Sequence, residues 1–282
     1  MKFYCLHEGL YEGVAIRLVE LKKACELLNI TFISLDSLAI DYTNLPILGK
    51  NDILYNAARG SQTLESILLS KEVTTFYIKN PELNQTYSTT DWSIIHRKHN
   101  LPEPKTIFHL TSDRQLLRKY VNYLGGFPII IKVTGGTRGI GTMKIESWQN
   151  LISTVDYLAT TGDKFIMREF IDADFGARIM VLGDEVVQSS KFLFQENDFR
   201  NAPIFSNTKY ESITLDDETK SICIEAVRLV NLEMAGVDIL FGKDHKPYLL
   251  EINFPTGFSS FKWNPEIISS KMVNYLIKKA ER

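Results

Sequence analysis

Ile129-Ile130-Ile131-Lys132-Val133-Thr134-Gly135-Gly136-Thr137-Arg138-Gly139-Ile140-Gly141 carries an apolar strand straight into a glycine-rich loop. Four glycines in seven residues let backbone approach a ligand closely. Their successive N–H groups suit the cradling of phosphates. The loop is not a Walker A sequence, because Thr142 rather than lysine follows Gly141. It is not GxGxxG either, since Lys144 stands where the last glycine belongs. A flexible hairpin loop is the plain alternative for glycines alone. Lys132 tips the balance. A lysine inside an apolar strand is seldom buried without a partner, and a phosphate just beyond the strand would be one. The other option is an edge-strand lysine with its head in water.

Further along, Gly236-Val237-Asp238-Ile239-Leu240 and Leu249-Leu250-Glu251-Ile252-Asn253 read as two neighbouring strands of a hairpin around the turn at residues 242–247. Glu251 and Asn253 are two apart and share one strand face. With Asp238 they place three oxygen-bearing side chains in otherwise apolar runs. Such donors suit a hard cation like magnesium, which takes few protein ligands plus phosphate oxygens. A solvent-facing polar side of the sheet is the competing reading. Arg178 and Arg200 are candidates for bidentate recognition of phosphate or carboxylate, against the ordinary alternative of rim arginines.

The rest of the chain frames these motifs. Residues 2–6, 30–35, 52–56 and 74–78 read as strands. Val14, Leu18, Leu21, Cys25 and Leu28 form one helical face between the first two, and residues 64–69 read as helical. This alternation predicts a parallel, doubly wound sheet. Residues 80–90 read as a loop and 91–98 as a short helix. The extended Leu101-Pro102-Glu103-Pro104 then marks a domain boundary. A helix over 113–123 with Ser112 as cap and Gln115 as its capping-box partner follows. Residues 143–145 form a strand, and Ser147 caps a further helix, giving a small sheet with helices on one side. Strands are expected at 164–171, 178–182, 185–190, 237–241 and 248–252, with helices around 222–230 and 268–276.

Composition narrows the classes. With 282 residues, 44% apolar and 23% charged, the chain is an ordinary globular protein of one large or two to three small domains. A net charge of -2 leaves no basic excess for a nucleic-acid partner. Cys5, Cys25 and Cys223 form no metal-ligand spacing, which suits a reducing, cytoplasmic compartment. The N-terminus does not read as a signal peptide. No run approaches the ~18 apolar residues of a membrane span.

Together the motifs resemble the ATP-grasp superfamily, and within it the RimK-type family of glutamate and amino-acid ligases. Ile131-Lys132 with residues 136–141, Arg168-Glu169-Phe170-Ile171, Arg178, residues 183–187, Asp198-Phe199-Arg200, residues 235–240 and Glu251-Ile252-Asn253 through Gly257 carry the resemblance. It covers residues 101–282; the first hundred match only in layout. The fold it implies is an α/β (α+β) ATP-grasp. A Rossmann-like pre-ATP-grasp domain over 1–100 would precede a central subdomain over 101–166 and a C-terminal subdomain over 167–282, with ATP between the last two.

The resemblance also implies roles. Lys132, Gly136, Thr137, Gly139, Gly141, Glu169, Phe170, Ile171 and Asp174 (or Asp172) would contact ATP. Asp238, Glu251 and Asn253 would bind magnesium, or manganese. Arg178, Arg200 and Asn201 would steady the transferring phosphoryl group. The implied activity is ADP-forming ligation of an amino-acid or peptide carboxylate to an amine on a small molecule, peptide or protein tail. Phosphotransfer to a stable product and a nucleotide-binding module without catalysis are the alternatives. A homo-oligomer is left open. The chain departs from the family in three places. Ser88 or Thr89 stands near the place of an upstream ATP-contacting lysine. Ala202 occupies an asparagine position beside Asn201. The ribose carboxylate is ambiguous. Arg59 is a candidate for a substrate carboxylate, against an ordinary loop arginine. The aromatic tip with Phe254, Phe258, Phe261 and Trp263 would either border the acceptor site or pack between domains, the second slightly favoured.

Overall fold

The computed structural model describes residues 1–58, 60–79, 89–108, 111–134, 139–194, 198–200, 209–258 and 261–282. Strand β1 (Lys2–His7) leads through helix α1 (Glu12–Leu27) to β2 (Thr31–Asp36) and on to β3 (Ile53–Asn56). The three strands form a parallel sheet in the order β2-β1-β3. Helix α2 (Gln62–Leu68) follows. Val14, Leu21 and Cys25 of the predicted stripe are buried, whereas Leu28 lies beyond the end of α1 and is exposed.

The strand expected over residues 74–78 does not form. Its backbone changes partner midway. Thr74 bridges Ile53 in parallel, while Tyr77 bridges Leu232 in antiparallel fashion. Phe76 O accepts from Glu233 N at 2.8 Å. The segment thus stitches the first sheet to the C-terminal half, with Phe76 and Tyr77 both buried.

Helix α3 (Thr89–Lys98) precedes a second sheet built from β4 (Thr106–Ile107), β5 (Ile129–Val133), β6 (Thr142–Ile145) and β7 (Phe165–Glu169) in the order β4-β7-β5-β6. All its pairings are antiparallel. Helices α4 (Arg114–Tyr123) and α5 (Trp148–Thr161) cover one face. Ile129, Ile131, Phe165 and Met167 pack there against Leu117, Val121, Leu151 and Leu158. Alternation along β5 sends Lys132 to the opposite, uncovered face. The cap of α4 is Asp113 rather than Ser112: its carboxylate accepts from Gln115 N and Leu116 N at 2.8 and 2.9 Å. A charged acceptor also complements the helix dipole, which a serine hydroxyl does not. Ser147 caps α5 as expected.

The third sheet contains β8 (Ala173–Leu182), β9 (Glu185–Phe192), β10 (Tyr210–Ser212), β11 (Met234–Gly242) and β12 (Pro247–Asn253), ordered β10-β9-β8-β11-β12 and antiparallel throughout. Helix α6 (Asp217–Leu229) lies between β10 and β11 in the chain. It packs on one face with Ala177, Ile179, Val237 and Ile239, and Trp92 and Ile95 of α3 join the same core. At its other end the sheet shares a core with the first one. Met180, Leu182 and Met234 meet Phe3, Cys5, Tyr55 and the C-terminal helix α7 (Pro265–Ala280). Sequence periodicity misses β4 and β10 because two or three residues are too few to show it. Among the described residues no helix is long and apolar enough to cross a membrane.

Candidate active site

A single row of side chains crosses all five strands of the third sheet. Ser212 is opposite Ser190, Ser190 opposite Arg178, Arg178 opposite Asp238, and Asp238 opposite Glu251. Directly opposed residues share a face, so the predicted metal residues and Arg178 come together by register alone. Asn253 stands two residues beyond Glu251, opposite Gly236. Its Nδ2 lies 3.3 Å from Asp238 Oδ2 and 3.4 Å from Glu251 Oε1. Gly236 is required here. A Cβ at that position would stand 2.5 Å from Thr256 Oγ1 and 3.1 Å from Arg178 Cδ.

The cations arrive from two sheets. Arg178 grips Asp238 through Nε and through Nη2, the latter 2.7 Å from Oδ2. Lys132 reaches over from β5 and places Nζ 2.9 Å from Glu251 Oε2. The strand lysine is therefore neither an edge residue in water nor buried alone. Burial pushes the Asp238 carboxyl up to about 6 against the pull of Arg178. Burial also acts to raise Glu251, but Lys132, Arg178 and Asn253 together outweigh it and hold that carboxyl down at about 2. Two neighbouring carboxylates are thus driven in opposite directions.

The donor set fits magnesium. Among the described residues no group of three or more His, Cys, Asp or Glu that could hold a metal ion is found. Two carboxylates and one amide on one face match a cation that completes its shell with phosphate oxygens and water. An amide's oxygen and nitrogen are assigned from hydrogen bonding, and turning the Asn253 amide over presents Oδ1 to the same point.

The described part of the glycine loop adjoins Lys132, since Val133 N donates to Gly141 O at 2.9 Å and Thr142 stands opposite Lys132. Gly139 and Gly141 both have positive φ, 74° and 77°. A Cβ on Gly139 would touch the Arg200 side chain at 3.5 Å. Arg200 is itself held in bidentate fashion by Asp198, at 2.9 and 2.8 Å. Gly136, Thr137, Asn201, Arg59 and Ser88 lie outside the described residues. The expected strand over 164–171 ends at Glu169, so Phe170 and Ile171 belong to the connection into β8. Asp172 pairs with Lys243 at 2.7 Å in solvent, while Asp174 is the extra, exposed residue where the β8–β11 register shifts.

Several neighbours had no settled role in the sequence reading. Arg168, buried on β7, donates from Nη1 to Leu250 O at 3.3 Å, from Nε to Thr106 Oγ1 at 3.0 Å and from Nη2 to Ser93 Oγ at 3.3 Å. Leu250 is the extra residue where the β11–β12 register shifts, directly before Glu251. Ser93 donates to Glu103 Oε2 at 2.5 Å, and Glu103 also meets His96. The rule applied to Lys132, a cation inside an apolar strand, also singles out Arg168 in Phe165-Ile166-Met167-Arg168. Lys144 stands 4.7 Å over the Phe170 ring. The aromatic tip divides: Phe258 is fully buried and Phe254 meets Tyr55 and Tyr77, while Phe261 lies against Arg178.

Residues 93–276 match the model of the RimK-like ATP-grasp domain. The chain belongs to the RimK-like ATP-grasp family. Among its curated relatives, a probable alpha-L-glutamate ligase of Trichodesmium erythraeum (strain IMS101) is 30% identical over 179 residues, which cover 62% of this chain and 58% of that protein. A probable alpha-L-glutamate ligase of Legionella pneumophila (strain Corby) is 28% identical over 187 residues, 65% of this chain and 61% of that one. The chain thus spans about three fifths of the length of these relatives. Among solved structures, the ATP-grasp ligase PsnB complexed with a phosphomimetic variant of a minimal precursor, Mg and ADP superposes with a TM-score of 0.74 at 18% identity, covering 98% of each chain. D-alanine–D-alanine ligase from Bacillus anthracis gives 0.68 at 16% identity, over 100% of this chain and 98% of that one. The fold shared with these solved structures includes the first sheet as well, which the family model does not reach.

Proposed function

We propose that this RimK-like protein is an ATP-dependent carboxylate–amine ligase that forms an amide through an acyl phosphate and releases ADP and phosphate. The contact of Lys132 with Glu251 carries the reading, because it brings the nucleotide-strand lysine of one sheet onto the metal strand of another. In this reading a carboxylate oxygen attacks the γ-phosphorus of ATP and displaces ADP. An amine then attacks the acyl carbon, loses a proton and expels phosphate. Such chemistry rests on positioning and charge neutralisation rather than on a covalent protein nucleophile.

The residues divide that work. Lys132 takes the nucleotide phosphates, with Gly136, Thr137, Gly139 and Gly141 folding backbone N–H groups around them. Glu169, Phe170 and Ile171 border the adenine, and Asp174 meets the ribose, since Asp172 already holds Lys243. Asp238, Glu251 and Asn253 hold magnesium, which would neutralise charge on the transferring phosphoryl group. Arg178, Arg200 and Asn201 steady that group and the acyl phosphate. Arg200 suits the task because it abuts the glycine loop.

For substrates we infer an amino-acid or peptide carboxylate and an amine acceptor. The curated relatives bear the name of glutamate ligases, and PsnB was also solved with a precursor peptide. Incubation with Mg·ATP and a panel of amino acids and peptides tests the whole reading. ADP release that needs both a carboxylate and an amine, with a condensed product by mass spectrometry, is expected. AMP as the nucleotide product, or tight Mg·ATP binding without turnover on any pair, would overturn it.

A further inference from the structure

Phe261 and Lys262 are consecutive non-glycine residues in the left-handed backbone region, with φ 70° and 57°. Positions of this kind cost on the order of 1–3 kcal/mol each and persist only where their surroundings impose them. At Phe261 those surroundings are specific. Ser190 Oγ donates to its carbonyl at 2.6 Å. The Tyr210 ring meets the Phe261 ring edge-on at 4.9 Å, and the Trp263 ring lies at 5.1 Å. The outcome is a ring laid over the Arg178 guanidinium, with Cζ 4.7 Å from its centroid.

Ser190 is also the residue opposite Arg178 on β9. One serine therefore fixes the loop that carries the ring and stands beside the arginine that the ring covers. Arg178 is held from two directions, by Asp238 along its edge and by Phe261 on its face. The two holds differ in kind. Asp238 is also a proposed metal ligand, so its oxygens would be shared between the cation and the guanidinium. The ring contact does not compete with the cation.

We propose that Phe261 is a positioning residue that fixes the plane of the Arg178 guanidinium, leaving Nη1, which Asp238 does not engage, for the phosphoryl group. The inference rests on the role given above to Arg178, and goes beyond it by assigning the ring that sets its orientation. A cation–π contact that is partly desolvated is worth roughly 1–2 kcal/mol, so its loss should cost the chemical step about 5–30-fold.

The test compares Phe261→Leu, which keeps an apolar side chain of similar reach, with Phe261→Tyr, which keeps the ring. For the Leu variant we expect kcat for ADP release about 5–30-fold below wild type with KM for ATP changed less than about twofold. The Tyr variant should retain most of kcat. In ¹⁵N-labelled protein the Arg178 Nε–Hε resonance, assigned with Arg178→Lys, should show the upfield ring-current shift of a proton above an aromatic face. It should lose that shift in the Leu variant and keep it in the Tyr variant. Wild-type kcat in the Leu variant, equal losses in both variants, or a shift that survives Leu would each overturn the proposal. The resonance needs no turnover. A wild type that releases no ADP would sink the ligase reading, and the shift would then decide the placement of Arg178 by itself.

Discussion

Lys132 Nζ and Glu251 Oε2 lie 2.9 Å apart, although 119 residues separate them and each belongs to a different sheet. The pair closes the space between β5 and β12. It also helps explain why Glu251 is ionised well below the usual carboxylate range despite its burial. Glu251→Gln keeps the shape and a hydrogen-bond acceptor for Lys132 but removes the charge a divalent cation needs. We expect loss of turnover, about 100-fold or more, with an unchanged circular-dichroism spectrum. Lys132→Ala should weaken ATP binding by roughly 10–100-fold in calorimetry, the equivalent of one charge-assisted contact. Unaltered ATP affinity would remove Lys132 from the site.

Arg178 and Asp238 invite a different experiment, because both are buried in their pair. Removing Arg178 alone leaves Asp238 charged or forces it to take a proton. Arg178→Met should therefore cost about 3–5 kcal/mol in urea unfolding. The double variant Arg178→Met with Asp238→Asn should regain most of that stability, since no unpaired charge is left behind. Activity should not return in either. Equal stability losses in the single and double variants would show that packing, rather than charge pairing, sets the cost.

Much of this site was legible because its signals are local. Asp238, Glu251 and Asn253 each interrupt an apolar run, and the two-residue period of a strand puts the last two on one face. What could not be read was register. Nothing in the residues 173–182 says that Arg178 faces Asp238 rather than a neighbour one step away. The segment 74–78 has the composition of a strand, yet its backbone divides between Thr74 and Ile53 on one side and Tyr77 and Leu232 on the other. Long-range pairing decided that, and propensity does not encode it. Phe261 was hidden for the same reason. Its aromatic neighbours in sequence serve two purposes, and only the fold separates the buried Phe258 from the ring on Arg178.

Arg168 on β7 had no role of its own in the sequence reading, yet its bond to Leu250 O ties the second sheet to the bulge before Glu251, while its other two bonds hold Thr106 and Ser93. Its loss frees the Leu250 carbonyl and takes a donor from Thr106 Oγ1 and Ser93 Oγ. Arg168→Met should cost about 2–4 kcal/mol, the range of buried polar groups left unsatisfied. The magnesium concentration needed for half-maximal turnover should rise several-fold, because Glu251 follows the released carbonyl directly. A magnesium dependence identical to wild type would confine Arg168 to stability alone.

Glu65 contributes one component of the pH dependence of stability. It is 2% exposed on α2, accepts from Asn56 Nδ2 at 2.7 Å and from Tyr77 at 3.3 Å, and has no hydrogen-bond partner at Oε1 among the described residues. Burial pushes its carboxyl up from 4.5 to about 7, against the two hydrogen bonds that favour the charged form. Between those values the folded chain holds a proton that the unfolded chain has released. Stability from this group is thus fully present below pH 4.5 and is lost as the pH rises through about 7. The full swing is about 3 kcal/mol, an upper figure for a group this buried. Urea unfolding at a series of pH values should show wild type weakening relative to Glu65→Gln as the pH climbs from 5 to 8. The amide has no charge to bury, so its curve should lack this component. A constant difference between the two proteins across that range would mean that Glu65 stays in one protonation state throughout.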